Sequence, residues 1–314
     1  MRKTAAALIT LGLAALALAG CSSAPAFDGQ ACPTQPTSTL RDSVSVTGDF
    51  GKEPTVKVST PMKVDKTSVD ALIRGAGLAI TTKTQPVSLD FTLYDGATGT
   101  QIGSTGFNGK GAQILDLATL ASQSKEFSAA LQCATAGSRL LIGLPAGAAA
   151  KDATVAVVDV QKVYLPHAEG ALQYNDALGL PTVVRAPDGR PGIIVPDAKK
   201  PTTLVAQTLI KGTGAVVKAT DTVRVQYTGV DWDTKTVFDS SWDKQAASFA
   251  LNQVIPGFGK GLAGQTVGSQ VLLVVPPKDG YGAQGSGSVK PNSTLVFVVD
   301  ILGIDPPGAT STGQ

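Results

Sequence analysis

Histidine is almost missing from this chain: His167 is the only one in 314 residues. Imidazole is the usual proton carrier of hydrolytic triads and the commonest metal ligand, so most triads and most zinc sites are excluded. Aromatic residues make up only 5% of the chain. Clustered positive charge is lacking too. Once residues 1–20 are set aside, with Arg2 and Lys3, 24 basic side chains face 24 acidic ones. A nucleic-acid partner, which wants concentrated positive charge, is not expected. No alternation of strand and helix runs through the chain, which argues against a cleft-forming solute-binding protein. Beyond the N-terminus no apolar run approaches the roughly 20 residues that span a bilayer.

The N-terminus does carry such a run, though a short one. "MRK" precedes 16 apolar or small residues, "AAALITLGLAALALAG". That length suits a signal peptide over residues 1–20. The run ends in Leu18-Ala19-Gly20-Cys21, which resembles a bacterial lipobox. The resemblance implies cleavage before Cys21, acylation of that cysteine, and an extracytoplasmic protein anchored to the cell membrane by lipid. Residues 21–47, rich in Ser, Thr, Pro, Ala and Gly, are expected to be a flexible tether. Cys32 and Cys133 remain. Outside the cytoplasm they can stay as two thiols or oxidise to one disulfide, and the disulfide is favoured.

The rest of the chain repeats itself. Residues 51–77 align without a gap with 188–214, ending in "LIRGAG" and "LIKGTG". "VSLDFTLYDG" (87–96) matches "VRVQYTGVDW" (223–232), and "AGSRLLIGLP" (136–145) matches "VGSQVLLVVP" (267–276). A fourth pair sets "ATVAVVDVQKV" (153–163) against "STLVFVVDILG" (293–303). Matched blocks in one order indicate a duplicated domain. The spacing divides the chain into a first domain over 48–165, a join over 166–186, a second domain over 187–305 and a disordered tail over 306–314. Runs such as "DTVRVQYTGV" and "QVLLVVPP" carry β-branched residues with partial alternation, which reads as strand. "GFGKGLAGQ" reads as a short helix, with "SKEFSAALQCA" as its counterpart. The expected class is α+β, antiparallel sheets each with a short helix.

Motifs in the second half resemble the FKBP-type peptidyl-prolyl isomerases. In order they are "VQYTG", "VFDSSW", "SFALNQVIPGFGKGLAG", "VGSQVLLVVPPKDGYG" and "NSTLVFVVDIL", covering roughly residues 205–304. The resemblance implies two tandem FKBP-like domains, each a twisted antiparallel sheet wrapped on a short helix. It also implies an apolar proline pocket in the second. Tyr227 and Phe238 would be walls, with Asp239 at the polar edge near the Tyr227 hydroxyl. Phe249, Val254 and Ile255 would continue the lining, and the Ile255 N–H would hold a substrate carbonyl. Phe258 would be the floor, where family members commonly carry tryptophan. Tyr281 would offer its hydroxyl from a loop that also holds Val289, and Phe297 would close the far side. Taken singly, an aromatic residue in a strand reads as plain core and an aspartate as a turn cap. The ordered set of motifs is what favours the site.

Peptidyl-prolyl isomerisation needs no cofactor, no metal and no nucleophile, so the scarcity of histidine is no obstacle. "GKGLAG" (259–264) fits G-x-G-x-x-G but follows "VIPGF" rather than a strand, so a helix start explains it better than a dinucleotide site. His167 stands in the join and is expected to be solvated, and Trp242 to be a rim or packing residue. In the first half Phe91, Ile102 and Gly103 stand where Tyr227, Phe238 and Asp239 do in the second. The loop of Tyr281 shrinks to "AGAAAKD". The first domain is therefore expected to be folded and catalytically silent. The partners implied are unfolded or partly folded secreted proteins with exposed Xaa-Pro bonds, and macrolides of the kind the family binds. The alternative is a proline-segment binding module or holdase with incidental isomerase activity.

Overall fold

A computed structural model describes residues 26–32, 39–108, 112–174, 177–307 and 310–311. The leader, Cys21 and its acylation lie outside those residues. The first half holds β1 (Ala26–Phe27), β2 (Gln30–Ala31), α1 (Leu40–Ser43), β3 (Val44–Thr47), β4 (Thr55–Val58), β5 (Ser68–Ile73), β6 (Val87–Asp95), β7 (Gln101–Ser104) and β8 (Gln113–Leu115). It continues with α2 (Leu117–Gln123), α3 (Lys125–Ala130), β9 (Arg139–Leu144) and β10 (Thr154–Val163). The second half holds β11 (Ala171–Leu172), β12 (Thr182–Arg185), β13 (Pro191–Ile194), β14 (Val205–Lys211), β15 (Thr222–Asp231), β16 (Val237–Ser240) and β17 (Ala247–Ala250). After these come α4 (Pro256–Leu262), β18 (Gln270–Val275), β19 (Leu295–Ile304) and β20 (Thr310–Ser311). The class is α+β. Among the described residues no helix is long and apolar enough to cross a membrane.

Each half is built on one antiparallel sheet in the same order. The path β5-β9-β10-β6, with β7 and β8 both on β6, corresponds to β14-β18-β19-β15, with β16 and β17 both on β15. Helices pack on one face and a two-stranded hairpin, β3–β4 or β12–β13, on the other. Two apolar clusters flank each sheet as a result. In the second half Val225, Leu273 and Phe297 face α4, while Val230, Leu272 and Val298 face Val183 and Ile193 of the hairpin. Central strands covered on both faces lose the inside–outside alternation. This explains why "LVFVVDILGI" is apolar but for Asp300 and buried along nearly all its length.

Three repeats lie in the register read from the sequence, but the fourth is displaced by one residue. Thr154 pairs with Asp95 and Leu144, and Leu295 pairs with Asp231 and Val275, so Asp159 corresponds to Asp300 rather than to Val299. In the first half the helical segment is split into α2 and α3, capped by the side chains of Asp116 and Ser124. Residues 39–47, read as tether, are instead built into the first half, because Leu40 and Val44 bury against Leu141 and Val155. Phe27 packs on the first core, and Cys32 is bonded to Cys133 with their Cα atoms 5.9 Å apart. Part of the tail is ordered as well: β20 pairs in parallel with β8 of the first sheet.

The matched acids Asp159 and Asp300 are both buried. Asp159 takes two bonds from Arg139, at 2.6 and 2.8 Å, and one from Gly51 N–H at 2.7 Å. The same guanidinium donates to the carbonyls of Gly48, Asp49 and Lys52, which pins the hairpin turn to the sheet. Gln270 stands where Arg139 does, so Asp300 has an amide for a neighbour. It accepts from Gln270 Nε2 at 2.7 Å and from Ala168 N–H at 2.8 Å. Arg185 reaches only Gln270 Oε1, at 2.6 Å. Burial pushes the Asp300 carboxyl up to about 6, against those hydrogen bonds and the weaker pull of His167 and Arg185. His167, expected in solvent, is half-buried against Gly189.

Two outcomes follow from this wiring. The Asp300 value lies above the ordinary 3.8, so the folded protein holds this proton more tightly than the unfolded chain. Its stabilising contribution is complete below about pH 4 and is lost as pH rises through about 6. Thermal melts of Asp300→Asn should show a flatter pH dependence across that window than the parent. The disulfide closes a sequence separation of 101 residues. A Cys32→Ala/Cys133→Ala double variant should lose about 2–4 kcal/mol of unfolding free energy in urea titrations.

Candidate active site

β15 runs through the centre of the second sheet and carries Tyr227 toward α4. On the neighbouring β16 the register pairs Gly229 with Asp239 and Val230 with Val237, so Phe238 is an extra residue in a β-bulge. A bulge re-aims side chains that would otherwise alternate between faces. That is how adjacent Phe238 and Asp239 both turn to the same side, the ring onto Phe297 and the carboxylate onto the Tyr227 hydroxyl. Gly229 makes room for the ring: a Cβ there would lie 2.5 Å from Phe238 Cζ.

The aromatic side chains form one connected frame. Phe238 meets Phe297 edge to face, with centroids 5.5 Å apart, and Phe297 meets Phe258 at 5.4 Å. Phe258 in turn contacts Phe249 at 5.5 Å and Tyr227 at 6.5 Å, and those two meet at 5.5 Å. Edge-to-face pairs contribute about 0.5–1.5 kcal/mol each beyond burial, so each ring is held by its neighbours. Val289 is buried in the same cluster, and Val254 and Ile255 pack partly buried against it. Phe258 enters from α4, which Pro256 starts from within its first turn and Ile255 precedes as cap. The Ile255 N–H makes no hydrogen bond among the described residues, as expected of an uncapped helix start.

The polar edge is equally defined. The Tyr227 hydroxyl donates to Asp239 Oδ2. Burial first, then the Asp239 hydrogen bond and charge, push that hydroxyl well above the ordinary tyrosine range, so it stays a donor. Asp239 Oδ1 accepts from Ser240 N–H at 2.9 Å and lies 3.6 Å from Lys244 Nζ. Tyr281 stands on the loop after β18 and is 40% exposed. The same loop reaches across to β16, where Ser288 Oγ donates to Phe238 O at 3.5 Å. Lys244, Ser240 and Ser288 were not singled out from the sequence; only the placement of Lys244 and Ser240 just after Asp239 hinted at them. Trp242 packs beside Gly189, with its indole N–H buried and without a partner among the described residues.

Eight of the ten sequence-derived pocket residues share one apolar cluster, Asp239 is bonded to Tyr227, and Tyr281 is near enough to act on the Tyr227 hydroxyl. The first half lacks this assembly. Phe91 and Phe127 keep an edge-to-face contact at 6.2 Å, in the manner of Tyr227 and Phe258. Leu93, however, occupies the place of Gly229, Ala156 that of Phe297 and Leu115 that of Phe249. Gly103 replaces Asp239, and the bulged Ile102 is 49% exposed.

Comparison with known proteins identifies the family. Residues 214–302 match the family described as FKBP-type peptidyl-prolyl cis-trans isomerase. The chain is 40% identical over 114 residues to a "Probable FK506-binding protein" of Corynebacterium glutamicum, a match spanning 36% of this chain and 97% of that one. It is 50% identical over 99 residues to the FKBP-type peptidyl-prolyl cis-trans isomerase FkpA of Aeromonas hydrophila, across 31% of this chain and 37% of the relative. The crystal structure of FkpA from Escherichia coli aligns with 42% of this chain and 54% of that chain, at 36% identity and a TM-score of 0.32. The matches thus take in nearly the whole of one relative and a minority of the other. The chain belongs to the FKBP-type peptidyl-prolyl cis-trans isomerases.

Proposed function

We propose that the cup between β15, β16, β17, α4 and β19 receives the ring of a proline and speeds cis–trans rotation of the peptide bond before it. The observation that carries this reading is the connected frame of edge-to-face rings around Phe258, with one carboxylate at its border. Rotation about an Xaa-Pro bond crosses a barrier of roughly 18–20 kcal/mol set by amide resonance. Resonance places negative charge on the amide oxygen, and water stabilises that charge. An apolar cup withdraws the water, which favours the twisted amide over the planar one. Asp239 binds the Tyr227 hydroxyl, so the strongest donor at the border is not free to stabilise the planar form. The free N–H of Ile255 and the hydroxyl of Tyr281 hold flanking substrate carbonyls, so that rotation is confined to one side of the bond. Tenfold in rate needs only about 1.4 kcal/mol of such preference.

The substrates under this reading are unfolded or partly folded secreted proteins with exposed Xaa-Pro bonds. Acylation at Cys21 would hold the protein to the outer side of the cell membrane. Macrolides would compete for the same cup, an idea supported by the Corynebacterium glutamicum relative named for binding FK506. The first half supports no second site, because Leu93 and Ala156 occupy the places of Gly229 and Phe297.

A protease-free peptide isomerisation assay tests the reading. The chain from residue 22 onward should accelerate exchange of an Xaa-Pro tetrapeptide, and a rate equal to buffer would end the proposal. Asp239→Val should lower kcat/KM by roughly tenfold or more, since it frees the Tyr227 hydroxyl. Gly229→Leu copies the first half at that position. It should displace Phe238 and cost kcat/KM at least about tenfold, while far-ultraviolet circular dichroism stays that of the parent.

A further inference from the structure

The two halves meet directly behind one wall of the cup. β17 is a four-residue strand with one partner, β15, and it carries Phe249. A short strand paired on one side has little hold of its own. Its approach, residues 245–246, is gripped from the first half. Gln245 Nε2 donates to Thr119 Oγ1 of α2 at 2.5 Å. Ala246 is buried with Ile114, Tyr164 and Leu302 in a small cluster shared by both halves.

Tyr164 is the centre of that contact. It is fully buried, and its ring lies flat on β19 at Gly303, where a Cβ would come within 2.6 Å of the ring. Lys162 Nζ stands 4.8 Å from the ring centroid and Arg224 Cζ 5.5 Å, so the ring bridges two cations. Lys162 also donates to Ile304 O at 2.5 Å. Arg224 holds Asp305 through two bonds, at 3.0 and 2.7 Å, and donates to Ala246 O at 3.2 Å. Asp305 in turn accepts from Ser248 Oγ on β17 at 2.6 Å. The paths from Tyr164 through Arg224 thus reach Ala246 and Ser248, three positions and one position before Phe249.

We propose that the first half, though it lacks a cup of its own, acts as a positioning element for the second. Tyr164 and Thr119 fix residues 245–250 and so hold the Phe249 ring against Tyr227 and Phe258. The effect on catalysis rests on the prolyl isomerase reading, whereas the effect on β17 does not.

The test uses the whole chain from residue 22, with amide hydrogen exchange and steady-state isomerisation measured on the same samples. Tyr164→Ala should speed exchange at 246–250 by about tenfold or more, with 295–301 unchanged. It should also raise KM roughly three- to tenfold with kcat within about twofold. Tyr164→Phe keeps the ring between its cations and should restore both readouts. Unchanged exchange at 246–250 in Tyr164→Ala overturns the proposal, as does faster exchange with KM unmoved. If Tyr164→Ala loses protection across 154–160, the first half has unfolded, and Thr119→Val decides instead. That change removes one acceptor and should give a smaller shift in the same two readouts; no shift overturns the proposal. If the parent shows no isomerisation, the functional reading fails, and exchange at 246–250 alone decides whether the first half positions β17.

Discussion

Everything in the second half depends on one steric condition: Phe238 stands where Gly229 has no side chain. With that space free, the bulged strand β16 can turn its extra residue inward, and the ring meets Phe297 edge to face. Phe297 then meets Phe258, and Phe258 meets Tyr227 and Phe249. Rings packed at right angles brace one another, so each is held in place by its neighbours. Under the proposed function the same frame would seat a proline ring. The tyrosine–aspartate pair at its border keeps the one polar group of the frame occupied.

The first half shows what the same sheet does without that condition. Leu93 fills the space, Ala156 and Leu115 take the places of two rings, and the bulged residue, Ile102, is left largely exposed. The hairpin, the sheet order and the bulge itself persist. The two halves therefore share the features that bury a two-sided sheet and differ in the aromatic frame. The buried acids differ in the opposite sense. Asp159 has a guanidinium beside it, whereas Asp300 has only an amide and a backbone N–H. A buried carboxylate without a cation in contact is costly, so the second copy carries the larger electrostatic burden in its framework.

Much of this was legible in the sequence. Strand runs, the short helix and the packing of the motif aromatics around Phe258 follow from motifs in order. The register of β10 against β19 was not, and the physical reason is plain. A strand covered on both faces has no alternation to fix its phase, so "AVVD" and "FVVD" slid by one residue against a uniformly apolar background. The bulge at Phe238 was invisible for a related cause, since an extra residue in a strand leaves no compositional mark. Residues 39–47 read as tether because four of the nine are serine or threonine, yet Leu40 and Val44 were enough to dock them. The contact at Tyr164 joins positions far apart in the chain, and nothing local announces it.

The attachments at Cys32 and β20 also decide how mechanical load passes through the molecule. One is a covalent bond to Cys133 and the other a pairing with β8, and both lie on the first half. The second half is strung between them as a loop, leaving the first half after Tyr164 and coming back beyond Asp305. A pull applied between residue 32 and residue 310 would be borne by the first sheet, and the second half would remain slack.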